Sequence, residues 1–364
     1  MNEAQAMARA IELGWRGWGH VHPNPMVGSV LLAGNEVVGE GFHAEFGGVH
    51  AEVAALGAAG RRAAGATAVV TLEPCTHVGK QPPCADALIR AGVRRVVAAV
   101  RDPNPAAAGG ARRMRDAGID VEIGLLGGQA AAQNAAFFHY LRNVGRPWIA
   151  LKLATTLDGR IADARGRSRW ISGPDARDYV HWLRAGFDAI ATGGRTAAQD
   201  DPSLTVRGAV TPRVVPRRVI FDRALGLSPA SVVVRTAGET PTIVVSGPAA
   251  AGSVRAEALR AAGVQVLGAA SLDEAMTALR SAGITSILVE GGGRLAGALL
   301  EAGLVDRYYW IQSPLLLGEG GVPAFAGVPD SALAGAPRWT VAERRALGED
   351  TLLVVDREPC SPES

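Results

Sequence analysis

Two short segments, Gly41-Phe42-His43-Ala44-Glu45-Phe46-Gly47-Gly48-Val49-His50-Ala51-Glu52 and Glu73-Pro74-Cys75-Thr76-His77-Val78-Gly79-Lys80-Gln81-Pro82-Pro83-Cys84, decide how the first part of this chain folds. Val49 to Ala59 has a helical pattern, so His50-Ala51-Glu52 opens a helix. Ala66 to Leu72 is a short apolar strand, so Cys75 follows a strand. Pro82-Pro83 introduce a second helix, Cys84 to Ala91, because proline suits a helix start. One imidazole and two thiolates are thus presented from a strand end and two helix starts. Zinc prefers four ligands, so a three-residue set leaves a position for water, as in catalytic sites. The helix N-terminus favours the thiolate of Cys84. Zinc brings the pKa of its water near neutrality. Glu52, two residues from His50, points elsewhere than the ligand and serves as acid and base, the arrangement that marks zinc deaminases. Singly, each residue reads as an ordinary core cysteine or surface histidine. A closed structural zinc site with His43 or His77 as fourth ligand is the other alternative.

Outward from these segments, strands alternate with helices, the pattern of an α/β three-layer unit. A helix at 2–17 precedes a hairpin of Met26–Leu32 and Glu36–Phe42 about Gly34-Asn35. Strands follow at Arg95–Val100 and up to Ile123, with helices at Ala106–Ala117 and Gln129–Arg142. Asn143 to Pro147 reads as a linker, giving domains at 1–144 and 147–357 and a disordered tail at 358–364. In the second domain, strands are expected at Trp148–Ala154, Ala189–Thr192, Arg218–Phe221, Thr242–Val245, Val264–Leu267, Ile284–Glu290 and Tyr308–Ser313, with two more at the C-terminus. Helices are expected around Asp175–Ala185, at Ser271–Ala282 with a capping box from Ser271 and Glu274, and at Leu295–Ala302.

The 364 residues suit about two domains, and 48% hydrophobic with 20% charged residues suits a soluble globular chain. A net charge of +2 argues against nucleic acid as the main partner. Three cysteines, Cys75, Cys84 and Cys360, make no disulfide framework and point to a reducing cytoplasm. The N-terminus lacks the apolar core of a signal peptide, and no apolar run reaches the ~18 residues of a membrane span.

The spaced motifs resemble the deaminase domain of the bifunctional deaminase–reductases of riboflavin biosynthesis. His22-Pro23-Asn24-Pro25-Met26-Val27-Gly28 and Asp102-Pro103-Asn104-Pro105 match as well, and the long loop between the cysteines separates this family from nucleoside deaminases with a Cys-x-x-Cys pair. Val49 and Gln81 depart from the residues usual in the family without touching the chemistry. The resemblance implies a cytidine-deaminase-like domain with zinc on His50, Cys75 and Cys84, Glu52 as catalytic residue, and substrate contacts at Asn24, His43, His77 and Lys80. Lys80 can meet a phosphate as a point charge.

In the second half, Lys152-Leu153-Ala154-Thr155-Thr156-Leu157-Asp158-Gly159-Arg160, Ser168-Arg169-Trp170-Ile171-Ser172, Gly193-Gly194-Arg195-Thr196, Asp200-Asp201-Pro202-Ser203-Leu204-Thr205-Val206-Arg207 and Val289-Glu290-Gly291-Gly292-Gly293-Arg294 resemble the reductase domain of the same family, which is similar to dihydrofolate reductase in fold. Glycines at a strand-to-helix turn let backbone N–H groups approach a pyrophosphate. The spacing fits the dinucleotide fingerprint loosely, with no acidic residue evident at a following strand end. The resemblance implies NADPH at Ala154, Trp170, Thr196, Asp200 and Gly291-Gly292-Gly293-Arg294-Leu295-Ala296-Gly297, substrate at Ser168, Arg184, Leu204, Arg207 and Glu290, and Lys152 with Glu290 assisting at the sugar C1′. Arg184 and Arg207 suit a sugar phosphate by bidentate geometry, with an ion pair as the plainer alternative for each. The implied reaction is hydrolytic deamination of a diamino-ribosylaminopyrimidinone phosphate, then NADPH-dependent reduction of its ribose to a ribityl chain. Partners are then small phosphoribosylaminopyrimidines and further copies of the chain, not nucleic acid or membrane. Two rival readings are a zinc deaminase of another nucleoside-like substrate and a zinc-stabilised binding protein without turnover.

Overall fold

The computed structural model describes residues 1–78, 82–208, 210–328 and 336–357. The chain divides into two compact units, one of residues 1–142 and one beginning at Asn143. The expected tail at 358–364 lies outside the described residues.

The first unit holds β1 (Gly28–Ala33), β2 (Glu36–Phe42), β3 (Thr67–Leu72), β4 (Arg95–Val100) and β5 (Asp120–Ile123) in the order β2-β1-β3-β4-β5. β1 pairs antiparallel with β2 and β3, whereas β3, β4 and β5 run parallel. β3 is buried at every residue, as a strand covered on both faces must be. Helix Glu3–Trp15, capped by Asn2 and Gln5, packs on β1 and β3 and meets helix Gly127–Gln133. Helices Ala51–Ala59, Cys84–Arg90 and Gly110–Asp116 pack in succession on one another. The core between the layers includes Met7, Leu31, Val69, Leu88, Val97 and Met114. Burying each such side chain contributes about 1.5–3 kcal/mol before entropy is counted.

Two helices differ from their expected extents. The one expected from Ala106 starts at Gly110, because Asp102 and Asn104 accept from the backbone N–H groups of Asn104 (2.9 Å) and Ala106 (3.1 Å) and hold consecutive turns there. The one expected at Gln129–Arg142 splits into Gly127–Gln133 and Ala135–Leu141. Asn134 at the break turns its amide to Met26, accepting from its N–H at 2.8 Å and donating to its carbonyl at 2.9 Å. That pair fixes the chain just before β1.

The second unit contains β6 (Trp148–Thr155), β7 (Arg160–Ala162), β8 (Ala189–Gly193), β9 (Arg217–Phe221), β10 (Thr242–Ser246), β11 (Gln265–Gly268), β12 (Ser286–Glu290), β13 (Arg307–Gln312), β14 (Val322–Pro323), β15 (Thr340–Leu347) and β16 (Asp350–Asp356). Nine of them form one sheet, β11-β10-β9-β8-β12-β6-β13-β16-β15, parallel through β13 and antiparallel for the last two. β14 and β7 make a separate antiparallel pair. Ser271 caps helix Leu272–Ser281 by accepting from Glu274 N–H at 3.2 Å, but the Glu274 carboxylate accepts from Ala270 N–H, one residue before the cap. The expected capping box is therefore displaced by one residue on its return arm. In the parallel sheet, ligands are expected at the carboxyl ends of the strands. The loops after β6, β8 and β12 carry the second set of motifs.

Candidate functional site

His50 caps helix Ala51–Ala59 with extended backbone, which turns its imidazole towards the two cysteines. Its Nδ1 lies 3.2 Å from Cys84 Sγ and 3.7 Å from Cys75 Sγ, and all three donor atoms fall within 4.8 Å of one another. Zinc bonds of about 2.3 Å to sulfur and 2.0–2.1 Å to nitrogen give tetrahedral edges of roughly 3.6–3.8 Å. The donor spacing fits that ion. Among the described residues this group has three members. His43 does not join it: its Nδ1 faces the Val49 carbonyl at 3.1 Å and its Nε2 faces Asn24 Nδ2 at 3.3 Å.

The two cysteines are also coupled electrostatically. Cys75 is held down to about 4, first by its hydrogen bond with Cys84 and, against burial, also by His50. Cys84 is pushed far up, first by its hydrogen bond with Cys75 and then by burial. A divalent ion between them would let both thiols ionise. Glu52 is buried, and burial pushes its carboxyl up to about 7.

His50, Cys75 and Glu52 border a cavity of about 150 Å³ lined also by Asn24, His43, His77, Glu73, Asp102, Asn104 and Phe137, and Cys84 is buried beside His50 and Cys75. Three of the four expected substrate residues are therefore at the cavity; Lys80 lies outside the described residues. Glu73, Asp102 and Asn104 were not expected as site residues. Glu73 accepts from Asp102 N–H at 3.2 Å and Ala111 N–H at 2.8 Å. Burial raises the Asp102 carboxyl to about 6. The sequence signal for this wall was the second Asn-Pro motif at 102–105, echoing the one at 22–25.

In the second unit, Lys152 and Glu290 are register partners on the neighbouring parallel strands β6 and β12. Arg184, the last residue of helix Pro174–Arg184, grips Glu290 through Nε at 2.6 Å and Nη2 at 2.9 Å. Its Nη1 donates to the Thr205 carbonyl at 2.8 Å. Of the two alternatives for Arg184, the ion pair is the one observed, buried and bidentate. Burial would raise Glu290, but the charge and hydrogen bonds of Arg184 outweigh it and hold the carboxyl low. Burial lowers Lys152, with Glu290 opposing. Leu204 packs into the core with Ile190, Ile220 and Val233, so any substrate contact there falls to its backbone. Arg207 is exposed.

The expected cofactor residues gather where β8 and β12 end. Gly292, at φ 82°, would bring a side chain within 2.9 Å of Thr196 Oγ1. Gly293 and Gly297 lie so close to the backbone at Pro323 and Ala326 that no Cβ fits. Thr192 Oγ1, buried beside this turn at the end of β8, has no hydrogen-bond partner among the described residues. An orphan hydroxyl and a glycine cradle at a helix start fit a dinucleotide's pyrophosphate. Ala154 lies near the end of β6, and Ala296 is fully buried. Ser168 and Trp170 sit on a loop tied to Asp200, whose carbonyl accepts from Arg169 at 2.7 Å. Trp170 is exposed and carries the Arg177 guanidinium 4.7 Å from its ring. Asp222 stands just beyond β9, ahead of the glycine turn in the chain; its carboxylate accepts from Leu227 N–H at 2.7 Å and serves its own loop.

Comparison with known proteins identifies the family of each unit. Residues 147–353 match the family described as RibD C-terminal domain, and residues 1–100 match the cytidine and deoxycytidylate deaminase zinc-binding region. Riboflavin biosynthesis protein RibD of Escherichia coli is 43% identical, over 97% of this chain and 99% of its own. Among solved structures, Acinetobacter baumannii RibD has a TM-score of 0.80 at 37% identity, over 97% of this chain and 98% of its own. A diaminohydroxyphosphoribosylaminopyrimidine deaminase/5-amino-6-(5-phosphoribosylamino)uracil reductase from Thermotoga maritima has a TM-score of 0.81 at 35% identity, with the same coverage. With relatives matched along nearly its whole length and a zinc-binding deaminase domain followed by an NADPH-using reductase domain, this chain belongs to the RibD family of bifunctional riboflavin-biosynthesis enzymes.

Proposed function

We propose that the first unit deaminates the diaminohydroxyphosphoribosylaminopyrimidine named for the Thermotoga relative, and that the second reduces the ribose of 5-amino-6-(5-phosphoribosylamino)uracil to a ribityl chain. The observation that carries the reading is the three-donor cluster with the buried Glu52 at one cavity. His50, Cys75 and Cys84 would hold zinc, which supplies Lewis acidity towards water when bound. Glu52 takes one proton from the attacking water and gives it to the ring nitrogen as the water oxygen bonds to the ring carbon. It then takes the second proton from the resulting hydroxyl and gives it to the amino group, so that the carbon–nitrogen bond breaks, ammonia leaves and the carbonyl remains. Raised by burial, Glu52 can both accept and release that proton near neutral pH. Asn24 and His43 face each other at the cavity wall and offer donors and acceptors to a pyrimidine edge. His77 at the rim and Lys80 complete the substrate contacts.

In the second unit, Ala154, Trp170, Thr196, Asp200 and the 292–297 turn would hold NADPH, which supplies the hydride when bound. Lys152 donates a proton to the ribose ring oxygen as C1′ opens, and the charge of Glu290 beside it opposes the effect of burial, which lowers the lysine's hold on that proton. Arg184 positions Glu290. Arg207 meets the phosphate, and Ser168 and the Leu204 backbone complete the pocket.

The test is to mix the diaminopyrimidine substrate, the full chain and NADPH, and to follow products by mass spectrometry. Exchange of an amino group for oxygen, then gain of two hydrogens, is expected. Ammonia release without the second change, or release equal in wild type and Glu52→Ala, would overturn the assignment. No helix among the described residues is long and apolar enough to cross a membrane. Cys75 and Cys84 form no disulfide, which suits a reducing cytoplasm. The exposed edge strand β15 offers a surface for pairing with a second copy, which sedimentation velocity would detect as a species heavier than one chain.

A further inference from the structure

Helix Pro174–Arg184 ends on two residues, His181 and Arg184, that reach the same short segment, Thr205 to Arg207. They lie three apart and so share one face of the helix. Arg184 holds the front of the segment through the Thr205 carbonyl at 2.8 Å. His181 holds its far end: the backbone N–H of Arg207 donates to His181 Nδ1 at 3.2 Å. Arg184 Nη1 stands 3.5 Å from the same nitrogen. The segment has neither helix nor strand to fix it, and Leu204, at φ 48°, is its anchor in the core.

We infer that His181 is a positioning residue of the reductase site: its neutral imidazole, accepting at Nδ1, fixes the Arg207 backbone and thereby aims the Arg207 guanidinium. The inference rests on the reading above in which Arg207 meets the substrate phosphate. An acceptor at Nδ1 requires a lone pair there, so the ring must be unprotonated at that nitrogen. The surroundings keep it so. Burial lowers its affinity for a proton, and the neighbouring Arg184 and Arg207 charges lower it further; Glu290 and the Thr205 backbone oppose them. Protonation would put a hydrogen where Arg207 N–H now points, and would release the end of the segment.

Reductase kinetics on the full chain, with deaminated substrate and NADPH supplied, test this in wild type, His181→Ala, His181→Asn and Arg207→Ala. Loss of one hydrogen bond predicts that His181→Ala raises KM about fivefold with kcat within about twofold. His181→Asn places an amide oxygen near the position of Nδ1 and should restore KM to within about twofold of wild type. Between about pH 7 and 5.5, wild-type KM should rise more steeply than that of His181→Asn, since the amide does not titrate. The comparison between the two profiles removes titration of the substrate phosphate. A raised KM in Arg207→Ala with an unchanged KM in His181→Ala would overturn the inference alone. Equal impairment by Ala and Asn would also overturn it, leaving His181 a packing residue. An unchanged KM in Arg207→Ala would overturn it together with the phosphate reading of Arg207.

Discussion

The carboxylate of Glu290 receives both arms of the Arg184 guanidinium while standing in register with Lys152 on the next strand. Two cations therefore share one anion, with Arg184 and Glu290 only 13% and 11% exposed in their side chains. Removing one partner of such a buried pair leaves a charge without compensation, so Glu290→Ala should lower stability by about 3 kcal/mol. Denaturant unfolding of the second unit checks this. Because Glu290 is held low, its contribution is present above about pH 4.3 and is lost as pH falls through its folded pKa.

Lys152 should behave in the opposite way. Burial lowers its pKa, so the folded chain binds its proton less tightly than the unfolded one. The resulting penalty is complete below the folded pKa and disappears as pH rises towards about 10.4. Lys152→Met should abolish reduction yet raise the melting temperature at pH 7. The difference in melting temperature from wild type should shrink as the pH is raised; a constant difference would point to packing instead of charge.

Glu52→Gln should cut deamination by about 10²–10⁴-fold, the usual worth of a positioned acid and base. Zinc content and NADPH-dependent reduction of supplied intermediate should persist, because Glu52 is not among the three donors. Steady-state ammonia release beside metal analysis of the same preparation gives both readings.

Gly292→Ala tests the cofactor turn. The backbone there is left-handed and the added methyl would meet Thr196 Oγ1 at 2.9 Å. The strain of a left-handed alanine, about 1–2 kcal/mol, should weaken NADPH binding about tenfold if the turn opens to relieve it. Titration of protein fluorescence with NADPH measures that shift without relying on turnover.

Much of this was legible in sequence because the deciding residues are close in the chain and tied to element ends. His50-Ala51-Glu52 opens a helix and Cys84 opens another, and their donors meet as that placement required. The hairpin at β1 and β2 and the strand β4 follow the apolar pattern to within two residues. What was not legible depends on contacts distant in sequence. Asn134 breaks a pattern that reads as one helix because its amide serves Met26, more than a hundred residues away. Glu73 and Asp102 border the cavity through a hydrogen bond that no local pattern announces. Guanidinium chemistry alone lets Arg184 suit a phosphate. Its partner, Glu290, comes from a strand 106 residues later. The short helix Gly194–Asp200, which carries Thr196 to the glycine turn, has too few residues to show a periodicity.

The central claim is that His50, Cys75 and Cys84 form one zinc site. Elemental analysis of the full chain, purified without chelator, tests it most directly when wild type is compared with Cys75→Ser. One zinc per chain in the wild type and almost none in the variant is the predicted result. Wild-type protein free of zinc, or equal zinc in both, would contradict it.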